Sequence, residues 1–462
     1  MNTAVEYMKF LESKVPDAGQ RGITGDISTS PHLFGFQSHC VDFLLRAGGG
    51  GLFLDTGLGK TLCELEWCQH SAAASNGRAL ILTPLAVAHQ IEKEARRFGY
   101  DASVIKSQDD VRSTVSICNY DRLDKLDPAK FGAIALDESS ILKSFGGKTT
   151  RSLISAFRDH RFKLSATATP APNDHMELGN HSEFCGVMAS NEMLSRFFIN
   201  DTSTASQQWR LKRHGVVPFW DWMASWSRCA QMPSDFGFSD DGFDLPPLNV
   251  VRHTAHESAP VVTGGLFGGD QVSATNMHDI KRQTAGARSD VAAELVTGLA
   301  SEPWVIWVDT DYEANAVMAA LNGAEGVVEV RGSMSSDAKE ASLDAFADGS
   351  ARILVTKPSI CGFGLNWQHC ANTVFVGRSF SYEAWYQAVR RFWRFGQSRP
   401  VTAHVIVAAG EDAIGRVIDR KADDHASMKS AMREAMRRDN QEASRVKVRY
   451  EANTIGGLPS WL

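Results

Sequence analysis

The chain is 462 residues long with a formal net charge of -6 and a sequence pI near 6.2; that is room for two or three domains with buried cores, and it excludes a global basic field, so any polyanion must meet a local patch. The eight cysteines form no CxxC pair and no histidine cluster stands at metal spacing, which argues against a zinc site or a disulfide framework. The N-terminus is amphipathic and acidic and no stretch approaches the ~18 apolar residues of a membrane span, so a soluble, cytoplasmic protein with no membrane partner is expected.

The first block of pattern runs from about Gly51 to Phe184. Leu52–Leu54, Ala79–Leu82, Val115–Cys118, Ala133–Leu136 and Phe162–Leu164 are short apolar runs separated by helix-length polar segments. That alternation predicts a parallel sheet with crossover helices. Directly after the first strand comes Asp55-Thr56-Gly57-Leu58-Gly59-Lys60-Thr61, the form of a phosphate-binding loop. Gly57 and Gly59 let backbone N–H groups crowd around phosphate oxygens, Lys60 reaches the β/γ phosphates and Thr61 holds Mg²⁺. ATP and Mg²⁺ are the expected ligands. Asp137-Glu138 ends the apolar run Ala133–Leu136, which places both carboxylates at the carboxyl end of a parallel strand. There Asp137 completes the Mg²⁺ shell and Glu138 orients or deprotonates an attacking water.

Between about Gly186 and Glu257 the composition changes. Trp209, Phe219, Trp220, Trp222 and Trp226 fall in helix-like sequence, followed by the Gly/Asp/Pro-rich segment Phe236–Pro247. Phe219, Trp220, Trp222 and Trp226 could stack bases or wedge a duplex, although helical spacing is more often plain core packing. His256–Gln271 is Gly-rich and is expected to be a mobile loop.

A second alternating block follows, with strands expected at Trp304–Val308, Val327–Val330, Arg352–Val355, Thr373–Val376 and Ala403–Val407. It repeats the first architecture without a phosphate loop of its own. Near its end stands Gln387-Ala388-Val389-Arg390-Arg391-Phe392-Trp393-Arg394-Phe395-Gly396-Gln397. Arg391 and Arg394 are three residues apart and on a helix would project from one face, two guanidiniums able to neutralise charge developing on a γ-phosphate. Ala413–Arg445 is rich in Ala, Met and Arg without proline and predicts a long helix, more simply a solvated one packed on the second domain than a DNA rail.

The order of these pieces resembles the Swi/Snf-like branch of helicase superfamily two, over roughly Phe34 to Val407, in a short form similar to helicase-like proteins of phages and prophages. Phe34-Gly35-Phe36-Gln37 resembles the family's adenine-reading motif, and Thr83-Pro84-Leu85 with Gln90 its first strand-contacting motif. Cys118-Asn119-Tyr120-Asp121 is similar to the next one. Thr167-Ala168-Thr169-Pro170 with Asn173 resembles the coupling motif, which could equally start at Ser165. Gly362, Gly364 and Asn366, after Thr356 and Lys357, resemble the second-domain motif that touches nucleic acid and nucleotide. Ser139-Ser140 depart from the family's usual pair after Asp-Glu.

The resemblance implies an α/β fold of two RecA-like parallel-sheet domains, residues 1–185 and 258–462, with a helical, aromatic-rich insertion and linker at 186–257. It further implies a DNA-stimulated ATPase that moves on duplex DNA. Gln37 and Gly364 would serve the nucleotide, and Thr83, Pro84, Asn119, Thr356, Lys357 and Asn366 the nucleic acid. Phage replication or recombination proteins are possible partners. The competing expectations are an RNA or single-strand helicase and a nucleotide-switched interaction module.

Overall fold

Most of the short apolar runs become strands that are covered on both faces, and those at a sheet edge, such as Val327–Val330, are only partly buried. The computed structural model describes residues 21–84, 87–144, 147–172, 174–201, 208–255, 274–361, 366–379, 381–408 and 412–444. In the first lobe the strands are Gly49–Leu54 (β1), Ala79–Thr83 (β2), Ala102–Val104 (β3), Val115–Asn119 (β4), Ala133–Asp137 (β5) and Phe162–Ala166 (β6). Every residue of β1, β2, β5 and β6 is buried, the continuous apolar pattern of a sheet with two covered faces.

The aromatic segment does more than insert a helix. After the helix Ser190–Phe197 it forms an antiparallel hairpin from Phe198–Asp201 (β7) and Gln208–Leu211 (β8), then the helix Val216–Trp226, then Ser227–Ala230 (β9). β9 pairs in parallel with β1, so the segment completes a seven-stranded parallel sheet of order β3-β4-β2-β5-β6-β1-β9. Phe219, Trp220, Trp222 and Trp226 are all buried. Phe219 alone meets Phe197, Phe198, Trp220 and Trp222 at ring separations of 4.9 to 5.7 Å. Base stacking by these rings is thereby overturned: faces already filled by neighbouring rings cannot receive a base.

The second lobe begins earlier than residue 258. Leu248–Ala255 (β10), within the expected linker, pairs in parallel with the last strand. Trp304–Trp307 (β11), Val327–Val330 (β12), Ile353–Thr356 (β13), Asn372–Phe375 (β14) and Val401–Ala408 (β15) complete a six-stranded parallel sheet of order β10-β15-β14-β11-β13-β12. The architecture is two RecA-like parallel-sheet lobes. The stretch expected to be a mobile loop, His256–Gln271, lies outside the described residues.

The predicted long helix exists, Asp412–Ser444; it touches the second lobe, His425 meeting the rings of Tyr382 and Tyr386 at 5.2 and 5.3 Å, but it also packs on the first. Met428, Met432, Ala435 and Met436 are buried in the first lobe's core beside Trp220 and Cys229. Its cations are taken up there as well: Arg433 pairs with Asp235 at 2.7 Å and Arg438 with Asp221 at 2.8 Å. A chain leaving β15 therefore crosses back and straps the second lobe to the first. No described helix is long and apolar enough to cross a membrane.

Candidate nucleotide site between the lobes

Three neighbouring strands of the first sheet, β5, β6 and β1, end in the residues that matter. β1 delivers Asp55 and the loop to Gly59, β5 delivers Asp137 and Glu138, and β6 delivers Thr167. Gly57 and Gly59 have φ of 95° and 73°, a region that side chains strain to enter. A Cβ on Gly59 would lie 2.2 Å from Gln37 Nε2, and one on Gly57 2.9 Å from the Phe395 amide nitrogen. The loop is thus fitted between Gln37 on one side and the second lobe on the other.

Gln37 is bonded at both ends of its amide: Nε2 donates to the Leu58 carbonyl at 2.9 Å and Oε1 accepts from the Phe34 amide at 2.9 Å. It props the loop from beneath. Lys60 Nζ donates to the Leu54 carbonyl at 3.0 Å; burial draws its pKa down, against the pull of Glu138, Asp55 and Asp137. Asp137 accepts the Thr83 hydroxyl at 2.7 Å. Burial first and Glu138 second push the Asp137 carboxyl up to about 7. Glu138 is the one non-glycine among the described residues with positive φ, 51°. Its Oε2 accepts from Gln387 Nε2 of the second lobe at 3.3 Å, with Thr167 Oγ1 at 3.5 Å on its own side.

Arg391 and Arg394 do not share a helix face. The helix Tyr382–Val389 ends before them, and they sit in the turns that follow, closed by Gln397 N to the Arg394 carbonyl at 3.0 Å. Both nevertheless reach the site. Arg391 is buried and donates to the side chain and backbone carbonyl oxygens of Gln387 at 3.2 and 3.1 Å, while Arg394 donates to Asn366 Oδ1. One cleft of about 500 Å³ is lined by Gln37, Gly57, Gly59, Lys60, Thr61, Asp137 and Glu138 of the first lobe and by Asn366, Arg391 and Arg394 of the second. Phe34, Phe243 and Phe395 stand at the same cleft, Phe243 meeting Phe34 at 5.2 Å and Phe395 at 5.1 Å.

The residues expected to meet nucleic acid are spread over both lobes, some buried and some lining the cleft. Thr83 and Thr356 are buried, the first donating its hydroxyl to Asp137 and the second to the Val330 carbonyl at 3.1 Å. Asn366 and Gln90 line the nucleotide cleft. Asn119 caps the turn at Asp121, and Lys357 pairs with Asp311 at 2.8 Å; Pro84 is half-buried. Gly364, Leu85 and Asn173 lie outside the described residues.

Some contributors escaped the sequence reading. Glu64, one turn beyond Lys60, is wholly buried with neither carboxylate oxygen hydrogen-bonded; burial, then Asp137, push it well above the usual carboxylate range. Tyr120 donates its hydroxyl to the Asp137 carbonyl at 2.7 Å. Asp55, Tyr386, Arg390 and Lys429 meet across the seam, a pairing visible only once the lobes are folded.

Residues 290–396 match the helicase conserved C-terminal domain, the region holding Asn366, Arg391 and Arg394. The chain is similar to Putative protein p41 of Acyrthosiphon pisum secondary endosymbiont phage 1, 24% identical over 482 residues covering 87% of this chain and 98% of that one. Among solved structures it resembles Saccharomyces cerevisiae Dbp5 bound to RNA and ADP BeF3, with TM-score 0.56, 14% identity and coverage of 87% and 94%. The Sulfolobus solfataricus SWI2/SNF2 ATPase core in complex with dsDNA agrees more loosely, at TM-score 0.40, 15% identity and coverage of 91% and 97%. The fold is that of two RecA-like lobes around a shared cleft, and the second lobe carries the match to the helicase conserved C-terminal domain.

Proposed function

We propose that the protein is an ATP-driven motor on nucleic acid, duplex DNA by preference, in which the two lobes close on one Mg–ATP and open after its hydrolysis. The observation that carries this reading is the single cleft to which the first lobe brings a glycine cradle, Lys60 and two carboxylates and the second brings Arg391 and Arg394. The donor set fits the ligand: small residues where a Cβ would collide, an ammonium group on the loop, and a hydroxyl and carboxylate, Thr61 and Asp137, of the type that holds Mg²⁺. Bound Mg²⁺ would neutralise phosphate charge.

The chain's own residues do the rest. Lys60 and the backbone amides of the loop bind the phosphates, Glu138 orients the attacking water and takes up its proton, and the two guanidiniums meet charge on the γ-phosphate. Because Glu138 already touches Gln387 across the seam, hydrolysis competence is tied to lobe closure. Duplex DNA rests on the motif order described above, and a phage replication or recombination setting on that resemblance together with the phage relative.

The test is steady-state ATP hydrolysis by the full chain with duplex DNA, single-stranded DNA or RNA added in turn. Duplex DNA should stimulate most, and Lys60→Ala and Glu138→Gln should abolish turnover, the latter still binding nucleotide. Equal stimulation by RNA favours a helicase on RNA or single strands. ATP binding without hydrolysis under every condition favours a nucleotide-switched interaction module instead.

A further inference from the structure

The first residue of the phosphate loop points away from the nucleotide cleft. Asp55 is 4% exposed, and its carboxylate is held mainly by the other lobe. Oδ2 accepts from Arg390 Nη2 at 2.7 Å and lies 3.2 Å from Lys429 Nζ; Oδ1 accepts the Tyr386 hydroxyl and, from its own loop, the Thr56 amide at 2.7 Å. The partners also bind one another, Lys429 and Arg390 donating to the Tyr386 oxygen at 2.9 and 3.1 Å. Arg390 lies against the Trp393 ring at 4.4 Å. All of these charged groups are buried, so the attraction is little screened by salt.

Arg390 is adjacent to Arg391, yet the two guanidiniums serve opposite sides of the phosphate loop. Arg391 and Arg394 line the nucleotide cleft, while Arg390 lines a second cavity of about 430 Å³ behind the loop with Asp55, Tyr386, His425 and Lys429. A turn pinned at Arg390 has one rotational setting, and that setting aims its two neighbours at the cleft. Lys429 adds the C-terminal strap to the same anchor.

We propose that Asp55 is a positioning residue: by engaging Arg390, Tyr386 and Lys429 it registers the arginine-bearing turn of the second lobe on the phosphate loop, so that Arg391 and Arg394 reach the nucleotide only while this anchor holds. The inference rests on the ATPase reading above for its kinetic consequence, and on the lobe contact alone for its structural one. It predicts a split in the kinetics. Nucleotide binding to the first lobe needs no registered arginine, whereas turnover does, and a displacement of about 1 Å at a charge-compensating group costs about 100-fold in rate.

The experiment compares wild type, Asp55→Asn, Arg390→Met and the double variant. Expected are a fall in kcat of about 100-fold for each single variant, affinity for a fluorescent ATP analogue within about threefold of wild type, and a double variant no slower than either single one. Amide hydrogen exchange over Tyr382–Val389 should quicken in all three variants. Wild-type kcat in Asp55→Asn or Arg390→Met, multiplicative effects in the double variant, or parallel loss of binding and turnover overturns the proposal. If the wild type itself fails to hydrolyse ATP, the ATPase reading falls, and the exchange measurement decides the anchor alone: unchanged protection of Tyr382–Val389 in both single variants refutes it.

Discussion

His181 gives a stability prediction with a definite sign. The side chain is fully buried between the Ser165 hydroxyl, 2.6 Å from Nδ1, and the Pro170 carbonyl, 2.8 Å from Nε2. A carbonyl only accepts, so Nε2 carries the proton and donates it, and Nδ1 accepts from Ser165; the neutral ring is the one that fits. Burial depresses its pKa to about 4, the Pro170 carbonyl opposing, whereas the unfolded chain has the ordinary value of about 6.5. Between these values the unfolded state binds the extra proton, so the stabilisation is complete above about pH 6.5 and is lost as pH falls toward 4. At about 1.4 kcal/mol per pH unit the loss is about 2 kcal/mol at pH 5 and about 3 kcal/mol at pH 4. The perturbation that isolates it is His181→Gln, which keeps one or both hydrogen bonds but cannot titrate and should cost about 1–2 kcal/mol at pH 7.5. Urea unfolding followed by tryptophan fluorescence at half-unit pH intervals should show the gap between wild type and variant closing by about pH 5. A gap that stays constant from pH 7.5 to pH 5 would falsify the assignment of a neutral, proton-excluding His181.

Other perturbations probe the cleft and its support. Thr83→Val keeps the shape but removes the donor on Asp137, a buried hydrogen bond to a charged group worth about 1.5–3 kcal/mol; the expected readout is a raised Mg²⁺ requirement for ATP hydrolysis, seen by titrating the metal at fixed nucleotide. Gly59→Ala forces a side chain to φ 73° and against Gln37, at about 1–2 kcal/mol from the backbone alone, and calorimetric titration with ATP should show weakened binding. Phe219→Ala should lower stability by about 3–5 kcal/mol, measured by thermal unfolding, while the nucleic-acid stimulation of any folded fraction stays as in wild type. A selective loss of stimulation there would revive base stacking.

Much of the fold was legible because parallel sheets buried on both faces write continuous apolar runs. Ala133–Leu136 and Phe162–Leu164 could be read directly, and the observed strands agree to within about three residues. What stayed hidden was side-chain traffic between distant segments. Ser227–Ala230 is an ordinary four-residue stretch, and only its register beside β1 makes it a strand of the first sheet. The basic helix Asp412–Ser444 carries no mark of which lobe it covers, since its methionines could fill either core; Asp221 and Asp235 decide it, some two hundred residues upstream. Thr83 shows the converse limit. A motif can mark a position at the end of a strand and still leave open whether its hydroxyl faces a ligand or, as here, a neighbouring carboxylate.

Glu138 condenses the relation between backbone, seam and proposed chemistry. A left-handed conformation at a residue with a Cβ costs about 1–2 kcal/mol, and it persists only where the surroundings hold it. Here β5 ends under Thr83 and Tyr120, which fix Asp137 by side chain and carbonyl, and the chain must turn sharply at the next residue. The turn carries the Glu138 carboxylate toward Thr167 on one side and Gln387 of the second lobe on the other. A carboxylate shared in this way has its orientation set by both lobes at once. If the lobes part, Gln387 leaves, one of the two groups fixing the carboxylate is gone, and a water held by it loses its line of attack. On the proposed reading this makes idle hydrolysis by a separated pair of lobes slow without any blocking element, because the residue that would position the water is complete only in the closed seam.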